Sequence, residues 1–145
     1  MYKRILIATD GSKLAAKAVV EGLRLAQALK SEIVAVMVTS ETPGSVVAGP
    51  MVVIAPPEAV EQMTAFTKRT LGDIADGAER LGIPCESVHV TSEIAYRAIL
   101  ETAKTKGCDL IVMASHGHGG LKAAVLGSVT MDVLAHSAIP VLVCR

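Results

Sequence analysis

The residues best suited to chemistry form a glycine-rich segment late in the chain. Residues 115–120 read SHGHGG, and Gly127-Ser128 follows about ten residues after Gly117, at a predicted helix start. Glycines let backbone amides approach a ligand closely, and a helix N-terminus offers free amides and a partial positive charge. A glycine-rich turn and a helix N-terminus at one edge of a sheet can hold a chain of phosphates. We therefore predict a phosphate site here rather than a purely structural turn.

Neither standard phosphate-binding motif accounts for this segment. The Walker pattern requires a Gly-Lys pair, and the chain contains none. The dinucleotide pattern G-x-G-x-x-G begins at Gly117 and Gly119, but Lys122 stands where the last glycine belongs. We therefore reject both motifs.

The elements that position this segment alternate between strands and helices. Five short runs predict strands, four of them rich in β-branched residues and typical of a buried parallel sheet. The predicted strands are residues 5–8, 33–38, 86–90, 110–113 and 141–143. The predicted helices run from Ser12 to about Leu29, from Pro57 to Leu81, from Ser92 to Lys106, and from Ser128 to a point before Pro140. Ser12 and Ser128 are the expected N-caps, and Gly82 and Gly107 the expected left-handed C-caps.

This order predicts an α/β fold with one domain over residues 1–145. We expect a Rossmann-like, doubly wound, five-stranded parallel sheet with strand order 3-2-1-4-5 and helices on both faces. Ligands bind beyond the carboxyl ends of such strands, which places Asp10, Thr39, Thr91 and the 115–120 segment at the ligand edge. Asp109 begins the fourth strand, so we expect it at the opposite edge in a structural role.

The composition excludes several classes of function. The 145 residues include 14 basic and 14 acidic side chains, so no net charge attracts nucleic acid. The apolar runs are shorter than the roughly 18 residues that span a bilayer, and the N-terminus does not resemble a signal peptide. Three cysteines and four histidines show no spacing typical of a disulfide framework or a metal site. We expect a cytoplasmic protein with free thiols, no metal site, no nucleic-acid partner and no membrane partner.

The chain resembles the universal stress protein family over essentially its whole length. The most specific parts are IVMASHG at 111–117 and LGSVT at 126–130. The nucleotide-binding branch of that family has a glycine, two residues, a second glycine, nine residues, and then Gly-Ser or Gly-Thr. Gly117 and Gly127-Ser128 match the later positions, whereas Ala114 stands where the first glycine belongs. If that position needs a positive φ, alanine costs about 1 kcal/mol, and if it needs only a small side chain, the methyl is tolerated.

The resemblance implies a role for each matched position. Ala8 would line the base pocket, Asp10 would meet the ribose or the adenine, and Val38 would offer backbone groups to the adenine edge. Met113 and Ala114 would floor the site. The residues implied to hold phosphates are Gly117, Gly127, Ser128, Val129 and Thr130. The implied ligand is ATP or AMP, with Mg²⁺ expected beside a triphosphate, although no carboxylate pair near the loop offers a dedicated cage.

The aromatic residues restrict how a base could be bound. Tyr2, Phe66 and Tyr96 are the only aromatic residues, and all three are expected away from the ligand edge. Adenine would then lie between aliphatic walls such as Ala8 and Val38.

Structural explanations remain open for several of these residues. Asp10 could cap the first helix, and His116, His118 and Lys122 could face solvent instead of phosphate. A Ser-His hydrolase is disfavoured because sequence neighbours such as Ser115 and His116 rarely present nucleophile and base to each other, and the chain has no G-x-S-x-G elbow.

The leading prediction is a cytoplasmic adenine-nucleotide-binding stress-response protein that acts as a sensor or regulatory module. No catalytic residue is assigned, and ATP hydrolysis would be slow at most, because no positioned base or carboxylate–metal pair is evident. One alternative is an ATPase or phosphotransferase completed by the 39–56 loop, whose apolar patch suggests a lid or a partner contact. Another is a dimeric interaction protein with a vestigial site. The last strand, Val141–Cys144, lacks edge protection, and it predicts a homodimer, as the family resemblance also implies.

Overall fold

The computed structural model describes residues 1–42, 44–117 and 125–145. Its strands are β1 (Arg4–Thr9), β2 (Glu32–Thr39), β3 (Val46–Ala48), β4 (Met51–Val53), β5 (Cys85–Thr91), β6 (Leu110–Ala114) and β7 (Val141–Cys144). Its helices are α1 (Lys13–Leu29), α2 (Pro57–Arg80), α3 (Ala95–Thr105) and α4 (Ser128–His136). Five parallel strands form one sheet in the order β5-β2-β1-β6-β7, which confirms the predicted order 3-2-1-4-5.

Alternate residues of the central strand enter two separate cores. Ile5 and Ile7 pack with Leu23 of α1 and Leu71 of α2 on one face of the sheet. Leu6 and Ala8 belong to a second cluster, whose helical members are Ile99 and Ala103 of α3 and Val133 of α4. A strand covered on both faces must be apolar at every position, which explains the continuous run at 5–8. The prediction of helices on both faces is therefore confirmed.

The helix ends agree with the sequence in some places and differ in others. Ser12 caps α1 as expected, because its hydroxyl accepts a hydrogen bond from the Ala15 amide. Ser128 is not a cap, because Gly127 occupies that position and α4 has no side-chain cap. The third helix begins at Ala95 and not at Ser92, since the Ser92 hydroxyl instead accepts the Ile94 amide in a turn ahead of the helix.

Two helix-ending glycines behave as predicted. Gly82 and Gly107 adopt φ values of +69° and +66°, the left-handed conformation that glycine tolerates without steric cost. Each therefore ends its helix directly before the chain enters β5 or β6.

The stretch at 39–56 contains a feature that its sequence did not predict. It holds a two-stranded antiparallel hairpin in which β3 pairs with β4, so describing the whole stretch as a loop was wrong. The apolar patch that the sequence shows there is exposed. The side chains of Val47, Met51, Val52, Val53 and Ile54 are between 54% and 79% exposed.

The amino edge of the sheet is held by charged groups. The Asp109 carboxylate accepts hydrogen bonds from the amides of Lys3 and Arg4 at 2.8 and 3.0 Å, which confirms its predicted structural role. The Arg4 guanidinium and the Lys106 ammonium both bind the Glu86 carboxylate. Within the described ranges, no helix combines the length and apolar composition needed to cross a membrane.

Candidate functional site

A cavity of about 240 Å³ opens at the carboxyl ends of β1, β2 and β6, beside α3 and the start of α4. This volume is slightly below the roughly 300–1,000 Å³ typical of small-molecule pockets. The predicted site residues that line it are Ala8, Asp10, Val38, Met113, Ala114, Gly117, Val129 and Thr130. Gly127 and Ser128 lie at the same helix start but outside the cavity lining.

The two sides of the cavity differ in chemistry. On the β2 side the walls are aliphatic, with Val36 and Val38 from β2 and Ile99 from α3. On the β6 side lie Asp10 and His116, together with backbone from the β6 loop and the first turn of α4. The cavity can therefore take a flat apolar group at one side and a polar group at the other.

Several lining residues were not predicted, although the sequence carried a signal for some of them. Val36 lies two residues before Val38, so strand alternation puts both on the same face. Ala95 and Ile99 are four residues apart on one side of α3. The other unpredicted lining residue is Ala15.

Asp10 lies in a tight turn that links β1 to α1. Its Oδ1 accepts a hydrogen bond from the Ser12 amide at 2.9 Å, and the Gly11 amide donates to the Thr9 hydroxyl at 3.1 Å. Gly11 has φ +78°, a conformation that favours glycine. Ser12 is the helix cap, so the alternative in which Asp10 caps α1 is wrong.

Gly117 brings the β6 loop against the Asp10 carboxylate. A Cβ placed on Gly117 would overlap Oδ2 of Asp10. Any side chain at this position would therefore displace either the loop or the carboxylate. The glycine is explained by this close approach.

Gly127 also packs closely, less tightly than Gly117 and on a different partner. Its amide donates to the Ser115 carbonyl at 2.7 Å, and a Cβ would lie 3.1 Å from Cα and Cβ of His116. The Gly127 amide thus already has an acceptor. The Met131 amide donates to the Gly127 carbonyl, so the amides of 128–130 come before the first helical hydrogen bond and need other acceptors.

Comparison with known proteins identifies the family. The sequence model of the universal stress protein family matches residues 1–145. This chain belongs to the universal stress protein family. The universal stress protein YxiE of Bacillus subtilis (strain 168) is 32% identical over 149 aligned residues that cover all of both proteins.

Solved structures of similar chains have the same fold. The structure of MJ0577, a protein of Methanocaldococcus jannaschii, is 30% identical with a TM-score of 0.76, over 99% of this chain and 96% of that one. A universal stress protein in complex with cAMP is 20% identical with a TM-score of 0.72, over 99% of this chain and 97% of that one. At 20% identity, the similarity to this structure shows a shared fold and nothing further.

Ala114, which departs from the family motif, needs no unusual backbone. It is the last residue of β6 and pairs with Cys144 of β7. Among the non-glycine residues of the described ranges, only Lys30 has a positive φ. The Ala114 side chain belongs to a cluster with Ala15 and Ala18 of α1, and its carbonyl accepts the Thr130 hydroxyl at 2.9 Å. A small side chain is sufficient here, and the alternative that requires a positive φ does not apply.

The expectation for the aromatic residues is only partly correct. None of the three lines the cavity, so the imidazole of His116 is the one aromatic ring in its described lining. Phe66 nevertheless reaches the ligand edge, because its ring contacts Gly11 from the other face of the sheet. Tyr96 stacks on His136, with ring centroids 4.9 Å apart.

Ser115 and His116 do form a hydrogen bond, contrary to the sequence expectation. The Ser115 hydroxyl lies 3.1 Å from Nδ1 of His116. However, Ser115 is only 5% exposed and does not line the cavity, so its hydroxyl offers no accessible nucleophile. The pair positions the β6 loop.

Part of the predicted phosphate segment lies outside the described residues. His118, Gly119, Gly120 and Lys122 fall within 118–124, so the expectations for them are not tested. In the part of the chain that is described, no group of three His, Cys, Asp or Glu side chains could hold a metal ion. All three cysteines are free thiols, and burial raises the pKa of each above its usual value.

Proposed function

We propose that this universal stress protein binds an adenine nucleotide, ATP or AMP, in the cavity at the carboxyl ends of β1, β2 and β6. The observation that carries the proposal is that one cavity joins an aliphatic slot to the start of α4, where the N-cap Gly127 provides no side-chain hydrogen bond. Such a helix start provides backbone amides and a partial positive charge for phosphate. The solved family member in complex with cAMP binds a nucleotide on the same fold.

The aliphatic side of the cavity would hold the base. Val36 and Val38 of β2 and Ile99 of α3 line this side, so a flat ring would contact methyl and methylene groups, with Met113 as the expected floor. With no Phe, Tyr or Trp in the described lining, adenine would be recognised by backbone groups, as we expect at Val38. Asp10 would meet the ribose hydroxyls, which a carboxylate can accept as hydrogen-bond donors.

The polar side would hold the phosphates. Gly117, Val129 and Thr130 line this side, and their backbone amides would donate to phosphate oxygens. Ser128 lies one residue before them, where its amide and hydroxyl can contribute. The Gly127 amide already donates to Ser115, so we assign Gly127 the role of holding the helix start against the β6 loop.

Mg²⁺ would depend on the nucleotide for its ligands. Asp10 contributes the one carboxylate in the described cavity lining, and a protein cage for a divalent cation needs more oxygen ligands. The described residues therefore do not fit a dedicated Mg²⁺ site. A cation accompanying ATP would be held by the phosphates and by water.

We propose a regulatory or sensor role in the cytoplasm, with slow hydrolysis at most. The alternative enzyme needs the 39–56 segment to complete the site, but no described residue of that segment lines the cavity. The balanced charge also gives no reason to expect a nucleic-acid partner. Steady release of phosphate at several turnovers per second would favour the enzyme.

We also propose a homodimer through β7. This strand lies at the end of the sheet order, and Leu142 on it is 41% exposed. Met131 and Leu134 of the neighbouring α4 are exposed as well, which extends the apolar surface. An edge of this kind pairs readily with a second copy. A dimer with a vestigial nucleotide site remains the third candidate function.

The test of the proposed function is to identify what the purified protein carries. The protein is denatured, and the small molecules released are identified by mass spectrometry. We expect AMP or ATP, and a rise in melting temperature when millimolar Mg-ATP is added to the nucleotide-free protein. Absence of both would contradict the proposal.

A further inference from the structure

Phe66 of α2 supports the nucleotide cavity from the opposite face of the sheet. Its ring edge occupies the space that a Cβ on Gly11 would need, and the Thr70 hydroxyl lies 3.2 Å from the same position. Gly11 is the residue of the β1–α1 turn with φ +78°. Helix α2 therefore contacts the β1–α1 turn at Gly11, the residue of the turn with the most conformational freedom.

The turn connects this contact to the cavity lining. Gly11 lies between Asp10 and Ser12, which are joined by the 2.9 Å hydrogen bond from the Ser12 amide to the Asp10 carboxylate. The other carboxylate oxygen of Asp10 takes the space of a Cβ on Gly117. Phe66, Gly11, Asp10 and Gly117 thus form a continuous series of contacts that ends in the cavity lining.

A second cavity shows the same connection from the α2 side. A groove of about 460 Å³ between α1 and α2 is lined by Phe66 together with Gly11 and Ser12 of the turn. Thr9 lines both this groove and the cavity on the other face. The end of β1 and the turn that follows it therefore line both the groove and the cavity.

We propose that Phe66 is a positioning residue for the nucleotide site, acting through the β1–α1 turn on Asp10. This inference rests on the proposed function. Glycine explores more backbone conformations than any other residue, and the Phe66 ring packed on Gly11 restricts the turn in addition to its own hydrogen bonds. If the ring is removed, only a fraction of molecules holds Asp10 in the binding arrangement, and the apparent affinity falls by that fraction.

The first test is the affinity of nucleotide-free protein for ATP and AMP by titration calorimetry. Phe66→Leu keeps an apolar side chain but removes the ring edge, and we expect binding weaker by about tenfold, with a larger loss for Phe66→Ala. Leu71→Val is the matched control, because Leu71 is a buried residue of the same helix that does not line the groove. Unchanged affinity in Phe66→Leu would overturn the proposal.

A double-mutant cycle separates positioning from a general loss of stability. If Phe66 acts through Asp10, Phe66→Leu should weaken binding much less in an Asp10→Ala background than in the wild type, because contacting residues couple. Independent, additive losses would mean that Phe66 does not act through Asp10.

Hydrogen exchange measured without nucleotide tests the role of Phe66 independently of the proposed nucleotide binding. Amide hydrogen exchange at Ser12, whose N–H donates to Asp10, should be faster in Phe66→Leu than in the wild type and unchanged in Leu71→Val. Unaltered exchange in Phe66→Leu would overturn the positioning role. A wild type that binds no nucleotide would contradict the proposed function, while the exchange result would still decide the role of Phe66.

Discussion

At the scale of single residues, the two matched motif glycines are explained by contacts between neighbouring loops. Gly117 makes room for the Asp10 carboxylate, and Gly127 for the backbone of His116. Gly127 has φ −64°, which any residue can adopt, so close packing and not backbone freedom accounts for it. The spacing of the motif therefore reflects how the β6 loop packs on Asp10 and on the start of α4.

Gly117→Ala should weaken nucleotide binding without unfolding the protein. The added methyl would overlap the Asp10 carboxylate and displace a cavity wall, so we expect a loss of about tenfold in affinity by titration calorimetry. Gly72→Ala is the matched control, because a Cβ there meets nothing within 4 Å. It should leave the affinity unchanged and stabilise α2 by roughly 0.5–1 kcal/mol. Equal affinities in both variants would place the ligand elsewhere.

The three thiols should react slowly in the folded protein. Burial raises the pKa of Cys108 to about 11 and also raises the pKa values of Cys85 and Cys144. The thiolate is the reactive form, so alkylation by iodoacetamide should be slow at pH 8 and accelerate as the pH rises toward those values. Mass spectrometry after timed alkylation should find Cys108 modified last. Rapid modification of folded Cys108 at pH 8 would contradict the buried position.

At the scale of elements, the sequence predicted every strand of the main sheet but not every helix boundary. The strand runs are continuous and β-branched because each central strand is covered on both faces. Ser92 and Ser128 are both of a residue type that favours the N-cap position. Whether such a serine caps its helix depends on the conformation of the preceding turn, which the local sequence does not determine. Ser92 instead binds the Ile94 amide, and Gly127 takes the cap position of α4.

The hairpin was missed for a related physical reason. Its strands have three residues each, too few for the alternation that identifies a strand. Isolated hairpins are marginally stable in water, so the sequence alone gives little basis for predicting one. The segment nevertheless contributes nothing to the described cavity lining.

The β7 edge can be tested through its exposed leucine. Leu142→Lys places a charge on the strand that we expect to pair with a second copy, so light scattering after gel filtration should show a dimer for the wild type and a monomer for the variant. Val20→Lys is the control, because Val20 is comparably exposed but lines the groove between α1 and α2. A monomeric wild type, or a dimeric Leu142→Lys, would contradict the interface.

At the scale of the whole molecule, the strand order decides where the site lies. The chain leaves β1 toward β2 on one side and joins β6 on the other, so the carboxyl ends of these three strands surround one cavity. The strand ends alone placed Asp10, His116 and Gly117 at this edge, and all three line the cavity. The same rule placed Thr39 and Thr91 there, which do not line it, and the other predicted lining residues came from the family resemblance. The contributions of α3 and of Phe66 depend on how helices pack on the sheet, which the spacing of residues along the chain does not reveal.

The most direct test of the account is to map nucleotide binding by NMR. ATP is added to nucleotide-free, ¹⁵N-labelled protein, and the amide resonances are followed. We expect saturable shifts at Val38, Gly117, Val129 and Thr130, and none on the outer turns of α2 such as Gly72. Absence of shifts at millimolar ATP, or shifts confined to surfaces away from the cavity, would contradict the proposal that this cavity binds nucleotide.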